Sequence, residues 1–184
     1  EKVKGTVRYD PGHPEAAQAL LANRVDILER CGLPDAVLCA YRTLACIALS
    51  QGDERRALAV LDDLCMLADR RRLPRLRAHA MAEQIRIHAL RSRTETIREK
   101  IAALDALGSM FAEDGYVLFE PHYLLQSGIA KAYAALAQFD LAAAGQHLAI
   151  AGELAARLHR RRDALIVKAL RGIVAHERGD AGAH

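Results

Sequence analysis

Eight histidines and four cysteines are the side chains of this 184-residue chain best suited to hold a metal or carry out nucleophilic chemistry. The histidines stand at 13, 79, 88, 122, 147, 159, 176 and 184. None of them shows the HExxH, HxxxH or ExxH spacing that places two ligands on one helix face. Scattered in this way, imidazoles read as surface or half-buried polar positions. Cys31, Cys39, Cys46 and Cys65 form no CxxC pair, and each lies among apolar residues, as small buried side chains in a reducing compartment do. Cys39 and Cys46 are seven apart, two turns along one helix face, and give only a weak zinc or redox signal. Ser50, Ser92, Ser109 and Ser127 lie in no GxSxG elbow. Asp62 and Asp63 diverge around a helix, and no GxxxxGK[ST] loop exists to cradle a nucleotide. The expectation is a non-enzyme with no catalytic residue, no metal site and no cofactor.

Composition points to what does the positioning. Ala and Leu make up about a third of the chain, aromatics only 4%, and there is no Trp. That favours closely packed helices over a sheet core. The net charge of +3 and the lack of one basic stripe exclude a dedicated nucleic-acid module. No apolar run is long enough to span a bilayer, so no membrane association is expected and the compartment reads as cytoplasmic. The chain opens on Glu1 and stops partway through what reads as a repeat, so a fragment of a larger protein is expected.

The spacing of turns carries the fold. Pro34 stands as far before Gly52 as Pro74 stands before Ser92. Gly12, Gly52 and Ser92 are 40 apart, Gln138 follows after 46 and Gly179 after 41. A period near 40 in a helical chain means stacked helix pairs. Pro14, Pro34, Pro74 and Pro121 suit the first turn of a helix. Asp53 and Asp140 suit N-caps, and Thr94 with Glu95 opens a further helix. The expected fold is all-α: a right-handed α-solenoid of about eight helices in antiparallel pairs, one domain over 1–184. Residues 1–10 are irregular, and about 108–120 form an insertion. The basic run at 68–79 recurs as HRRRDALIVKAL at 159–170, which marks it as a feature of the repeat joint rather than a phosphate site.

Around Gly52 the unit presents Tyr41, Leu44, Ala45, Ala48, Gly52, Ala57 and Leu61, which fits the tetratricopeptide pattern of large, small and turn residues. Ile97 at the small position, and Ser92 and Gln138 at the turn position, depart from it. The stretch GDERRALAVLDDLCMLADRRRLPRLRAHAMAEQIRIHALRSR, with its period near 40, resembles the superhelical region of MalT-like, LuxR-type ATP-dependent transcriptional regulators. DALIVKALRGIVAHERGDAGA is similar to the repeat shortly before that family's DNA-binding domain. The resemblance spans roughly residues 12–184. It implies an effector-sensing and protein-interaction domain, with any ATPase or DNA contact made by domains outside this stretch. The implied partners are a protein or a small-molecule effector, with self-association also open. A tetratricopeptide scaffold of another signalling protein is the second reading.

Two sets of residues are candidates for binding. Counting from the turn residue as that family does puts Arg42, Cys46, His79, Arg86 and His176 on the concave surface. Independently, six of the eight aromatic residues lie between 111 and 139. Of these, Tyr116, Phe119 and Tyr123 are the candidates to grip a ligand or partner from the insertion, or else to plug the gap it leaves.

Overall fold

A computed structural model describes residues 32–112 and 116–179, with Leu21, Ile27, Glu29 and Arg30 before them. The irregular start, most of the helix expected over 14–31 and the chain end lie outside the described residues. What is described is all-helical, with no strand. Seven α-helices are described along their whole length: α1 (Pro34–Ser50), α2 (Glu54–Arg70), α3 (Pro74–Ala89), α4 (Thr94–Gly108), α5 (Glu120–Ala137), α6 (Leu141–Arg157) and α7 (Arg161–Arg178). Short 3-10 turns at Ser109–Ala112 and Val117–Phe119 lie between α4 and α5.

Packing divides the chain into two compact units, Glu1–Leu64 and Cys65–His184. In the first, Pro34 opens α1, and its Val37, Leu38, Tyr41, Ala45, Ile47 and Ala48 are buried. The Tyr41 hydroxyl donates to the Glu29 carboxylate. Asp53 caps α2 as its residue type demands, Oδ1 accepting the Arg56 N–H at 2.9 Å. Ala57, Leu61 and Leu64 are fully enclosed.

In the second unit α3 packs on α4 and on α5, α5 on α4 and α6, and α6 on α7. Asp140 caps α6 by accepting the Ala143 N–H at 2.9 Å. Two apolar clusters follow this order. One joins Ala78, Met81, Ala82 and Ile85 of α3 to Leu104 of α4 and Ala130 of α5. The other joins Leu125, Ile129 and Ala132 of α5 to Leu148 and Ala151 of α6 and Val167 and Leu170 of α7.

Except between α4 and α5, the described helices are joined by one device. Gly52, Arg72, Ser92, Phe139, His159 and Gly179 all take left-handed backbone, with φ between 52° and 77°. After the first five, the next residue's N–H reaches a carbonyl in the last turn of the helix behind: Asp53 to Ala48, Leu73 to Ala68, Arg93 to His88, Asp140 to Ala135 and Arg160 to Ala155, at 2.8–3.2 Å. This is the Schellman arrangement, which satisfies the orphan carbonyls of a helix end. The positions step evenly, from 52 to 72 to 92 and from 139 to 159 to 179, and the even step is broken only across the insertion. The turn expected at Gln138 is at Phe139, so the long interval runs from 92 to 139 and the insertion adds seven, one more than the sequence spacing indicated.

Holding a non-glycine residue in this conformation costs about 1 kcal/mol. Phe139 is 80% exposed and loses little packing when shortened. Phe139→Gly is therefore expected to raise the unfolding free energy by about 1 kcal/mol in a urea titration. Gly52→Ala, with open space around the added methyl, is expected to lower it by a similar amount.

Candidate functional site

The left-handed residues set the register for the candidate binding positions. Arg86 of α3 stands six before Ser92, as Cys46 does before Gly52 and Tyr133 before Phe139. His79 of α3 matches Gln126 of α5, the offset being that of Ser92 from Phe139. α3 packs on α5, and Tyr133 of α5 comes within electrostatic reach of Arg86 and Glu83 of α3. His79 and Gln126 are buried, and Arg86 holds the Glu83 carboxylate at 2.7 Å in a half-buried ion pair. Burial pushes the Tyr133 phenol above its ordinary value of 10.0; the charge of Arg86 opposes the rise and that of Glu83 adds to it.

Of the residues expected on the concave surface, Arg86 is partly exposed, while His79, seven residues before it on α3, is buried. Cys46 shares Arg86's register on α1 and is exposed. Arg42 occupies the register position of Ala82 and Ile129, and His176 that of Ala89 and Leu136. Those positions belong to the apolar clusters of α3 and α5 or pack against them. Sequence reasoning missed Glu83 and Tyr133 beside Arg86. Glu83 is legible as the residue three before Arg86 on the same helix, and Tyr133 from the offset between α3 and α5 once the turn is assigned to Phe139.

The aromatic residues of the insertion separate by depth. Phe111 is fully buried and stacked on Tyr123, with ring centroids 4.7 Å apart and planes 14° apart. Tyr116 meets Phe111 edge-on at 6.5 Å and packs against the same cluster. The Tyr123 hydroxyl donates to the Leu104 carbonyl at 3.0 Å. A Cβ on Gly108 would stand 2.5 Å from the Tyr123 oxygen, so this crossing requires glycine. Burial raises the Tyr123 phenol above 10.0, opposed by the hydrogen bond with Ser127 and helped by Asp105. Phe111 and Tyr123 thus belong to the buried cluster of α3, α4 and α5, with Tyr116 packed against it. Phe119 differs: it is exposed and covered by the Arg75 guanidinium, 5.1 Å from the ring centroid.

No family model, curated protein or solved structure matches the chain. Among the described residues no three His, Cys, Asp or Glu side chains gather in a way that could hold a metal ion. None of the described helices is long and apolar enough to cross a membrane.

Phe111→Ala is expected to cost about 3–5 kcal/mol, the range for a buried aromatic. Tyr123→Phe, which leaves the Leu104 carbonyl without that donor, is expected to cost about 1 kcal/mol. Thermal or urea unfolding checks both. A separate expectation concerns pH. His147 on α6 is held below its ordinary value of 6.5, first by burial and then by the charge of Lys131, with Asp105 and Asp140 opposing. The unfolded chain therefore takes up this proton first as pH falls. Stability should be level above about 6.5 and decline as pH drops from there toward the lower folded value. His147→Gln should flatten that part of the profile, measured by unfolding across about pH 5–8.

Proposed function

We propose that this chain is the tetratricopeptide-like superhelical domain of a MalT-like, LuxR-type transcriptional regulator, and that it senses an effector or partner protein without catalysis. The helix pairs stack as a right-handed solenoid, and Glu83, Arg86 and Tyr133 belong to its concave side. The supporting observation is the repeated joint: a left-handed residue and a hydrogen bond back to the helix before it, recurring at one even interval on either side of the insertion. A repeat of this kind stacks by nearest neighbours and leaves one long face free for binding. The family resemblance of residues 12–184 supplies the regulator. In this reading the domain works in the cytoplasm, and DNA and ATP are handled by other domains of the same protein.

Two measurements test it together. Small-angle scattering of the chain should give a radius of gyration above the roughly 16 Å of a compact globule of this length. In the full-length regulator, Arg86→Gln, which removes the charge without setting a second carboxylate beside Glu83, should weaken the response to effector while lowering the melting temperature of this domain by only a few degrees. A compact globule would remove the solenoid. Normal regulation by the variant would remove the α3–α5 face as the contact surface. A reading frame lacking both a nucleotide-binding loop and a helix-turn-helix would leave a tetratricopeptide scaffold of another signalling protein.

A further inference from the structure

The seam between α6 and α7 is built around two arginines laid on two glycines. Arg171 donates to the Leu148 carbonyl at 3.1 Å, and a Cβ on Gly152 would stand 2.8 Å from the same nitrogen. Arg178 donates to the Leu141 carbonyl at 2.6 Å, and a Cβ on Gly145 would stand 3.2 Å from that nitrogen. The arginines are seven apart on α7, as the glycines are on α6. A backbone carbonyl takes one N–H of each guanidinium and leaves the rest of the fork able to donate. Both side chains are exposed, and neither pairs with a carboxylate among the described residues. One repeat earlier a carboxylate stands at this place. Lys131 of α5 corresponds to Arg171 of α7 by the offset of Phe139 from Gly179. Asp105 of α4 corresponds to Gly152 of α6 by the offset of Ser92 from Phe139. Lys131 and Asp105 form an ion pair at 2.7 Å. Between α6 and α7 the cation is kept and its carboxylate is replaced by glycine.

We propose that this seam binds an acidic helix of a partner protein, whose carboxylates two turns apart engage Arg171 and Arg178. The interval decides the shape. Residues seven apart on a helix stand about 10 Å apart along its axis, so a helix lying along the seam repeats the spacing of the arginines. Their carbonyl contacts hold the guanidinium groups in place, which reduces the ordering that a carboxylate must impose. A phosphate chain fits less well. It carries a charge about every 3.4 Å of strand, and it meets Glu153 and Glu177, exposed next to Gly152 and Arg178 in the sequence. A following helix of the same chain takes a different side. α6 covers α5 through Leu125, Ile129 and Ala132, and it leaves Lys131 and Asp105 27% and 47% exposed. A helix set on α7 in the same way leaves Arg171 open.

The site needs only the α6–α7 pair and stands apart from the regulator reading. The probe is a synthetic alanine-rich helix with two glutamates seven apart, followed by fluorescence anisotropy in about 50 mM salt. It is expected to bind the 184-residue chain about tenfold or more tightly than either of two controls. One control carries glutamine at both positions. The other has its glutamates five apart, which turns them to different sides of the helix. Arg171→Gln and Arg178→Gln should each weaken binding about fivefold or more, with the melting temperature moved by no more than about 3 °C. Gly152→Asp supplies the carboxylate from within, as Asp105 does for Lys131. It should weaken binding as much without lowering the melting temperature, since aspartate suits a helix interior better than glycine. Absence of binding, equal binding of the three peptides, or variants that bind like the original overturn the proposal. So does a single-stranded oligonucleotide that binds through both arginines and displaces the peptide, because the partner is then a nucleic acid. A full-length protein that fails to bind the peptide its 184-residue stretch binds also overturns it, because a segment of the same chain then occupies the seam.

Discussion

The short joint between helices is the constraint on which the arrangement depends. A helix that ends in a Schellman turn has its exit direction fixed by one left-handed residue, and the residue after it already stands at the entry of the next helix. Asp53 and Asp140 each serve both helices: the N–H donates to the helix behind, and the side chain accepts from the helix ahead. Within the second unit the joints at Ser92, Phe139 and His159 share one geometry, and α3 and α5 bury corresponding positions. A cluster such as Ala78, Ala82 and Ile85 is therefore repeated as Leu125, Ile129 and Ala132. The carbonyls that bridge the joints belong mostly to alanine. Near the crossing of two helices a small side chain lets the backbones approach.

Much of this is legible in the sequence, and the reason is local chemistry. Pro34, Pro74 and Pro121 mark helix starts because a residue without an N–H fits where no acceptor exists. Asp53 and Asp140 mark caps because their carboxylates match free N–H groups. The turns are less legible. Of the six left-handed positions described, Gly52 and Gly179 are glycine, while Arg72, Ser92, Phe139 and His159 carry no local signal of that backbone. At Phe139 the position is fixed by geometry, and the conformational cost is offset by the bonds of the joint. The interval that separates Pro34 from Gly52 and Pro74 from Ser92 also separates Pro121 from Phe139. A polar residue reads as a turn more readily than a phenylalanine does, which is why residue types alone put the turn at Gln138, one position early.

The binding candidates are legible only in part, for a related reason. An arginine or histidine on a helix says little until the register of its neighbours is known. Arg86 gains its setting from Glu83, one turn away on the same helix, and from Tyr133 on α5. The aromatic cluster shows the complementary case. A concentration of rings between 111 and 139 is visible in one dimension. Whether a ring packs or is presented depends on depth, which separates Phe111 and Tyr123 in the core from Phe119 at the surface.

The insertion between α4 and α5 also bears on how such a chain assembles and diversifies. For α3 to meet α5, the chain must close a longer loop than the regular repeat requires. Closure entropy grows only as the logarithm of length, so the extra stretch adds about 0.1 kcal/mol. Lengthening this connection therefore hardly slows or weakens the encounter of the two helices. The larger demand is steric: whatever length is added has to pack against the helices it joins, as Phe111 and Tyr116 pack in the cluster of α3, α4 and α5 here. The joint between α4 and α5 is thus the place where the chain can acquire new sequence at almost no entropic penalty, provided the newcomer brings its own core.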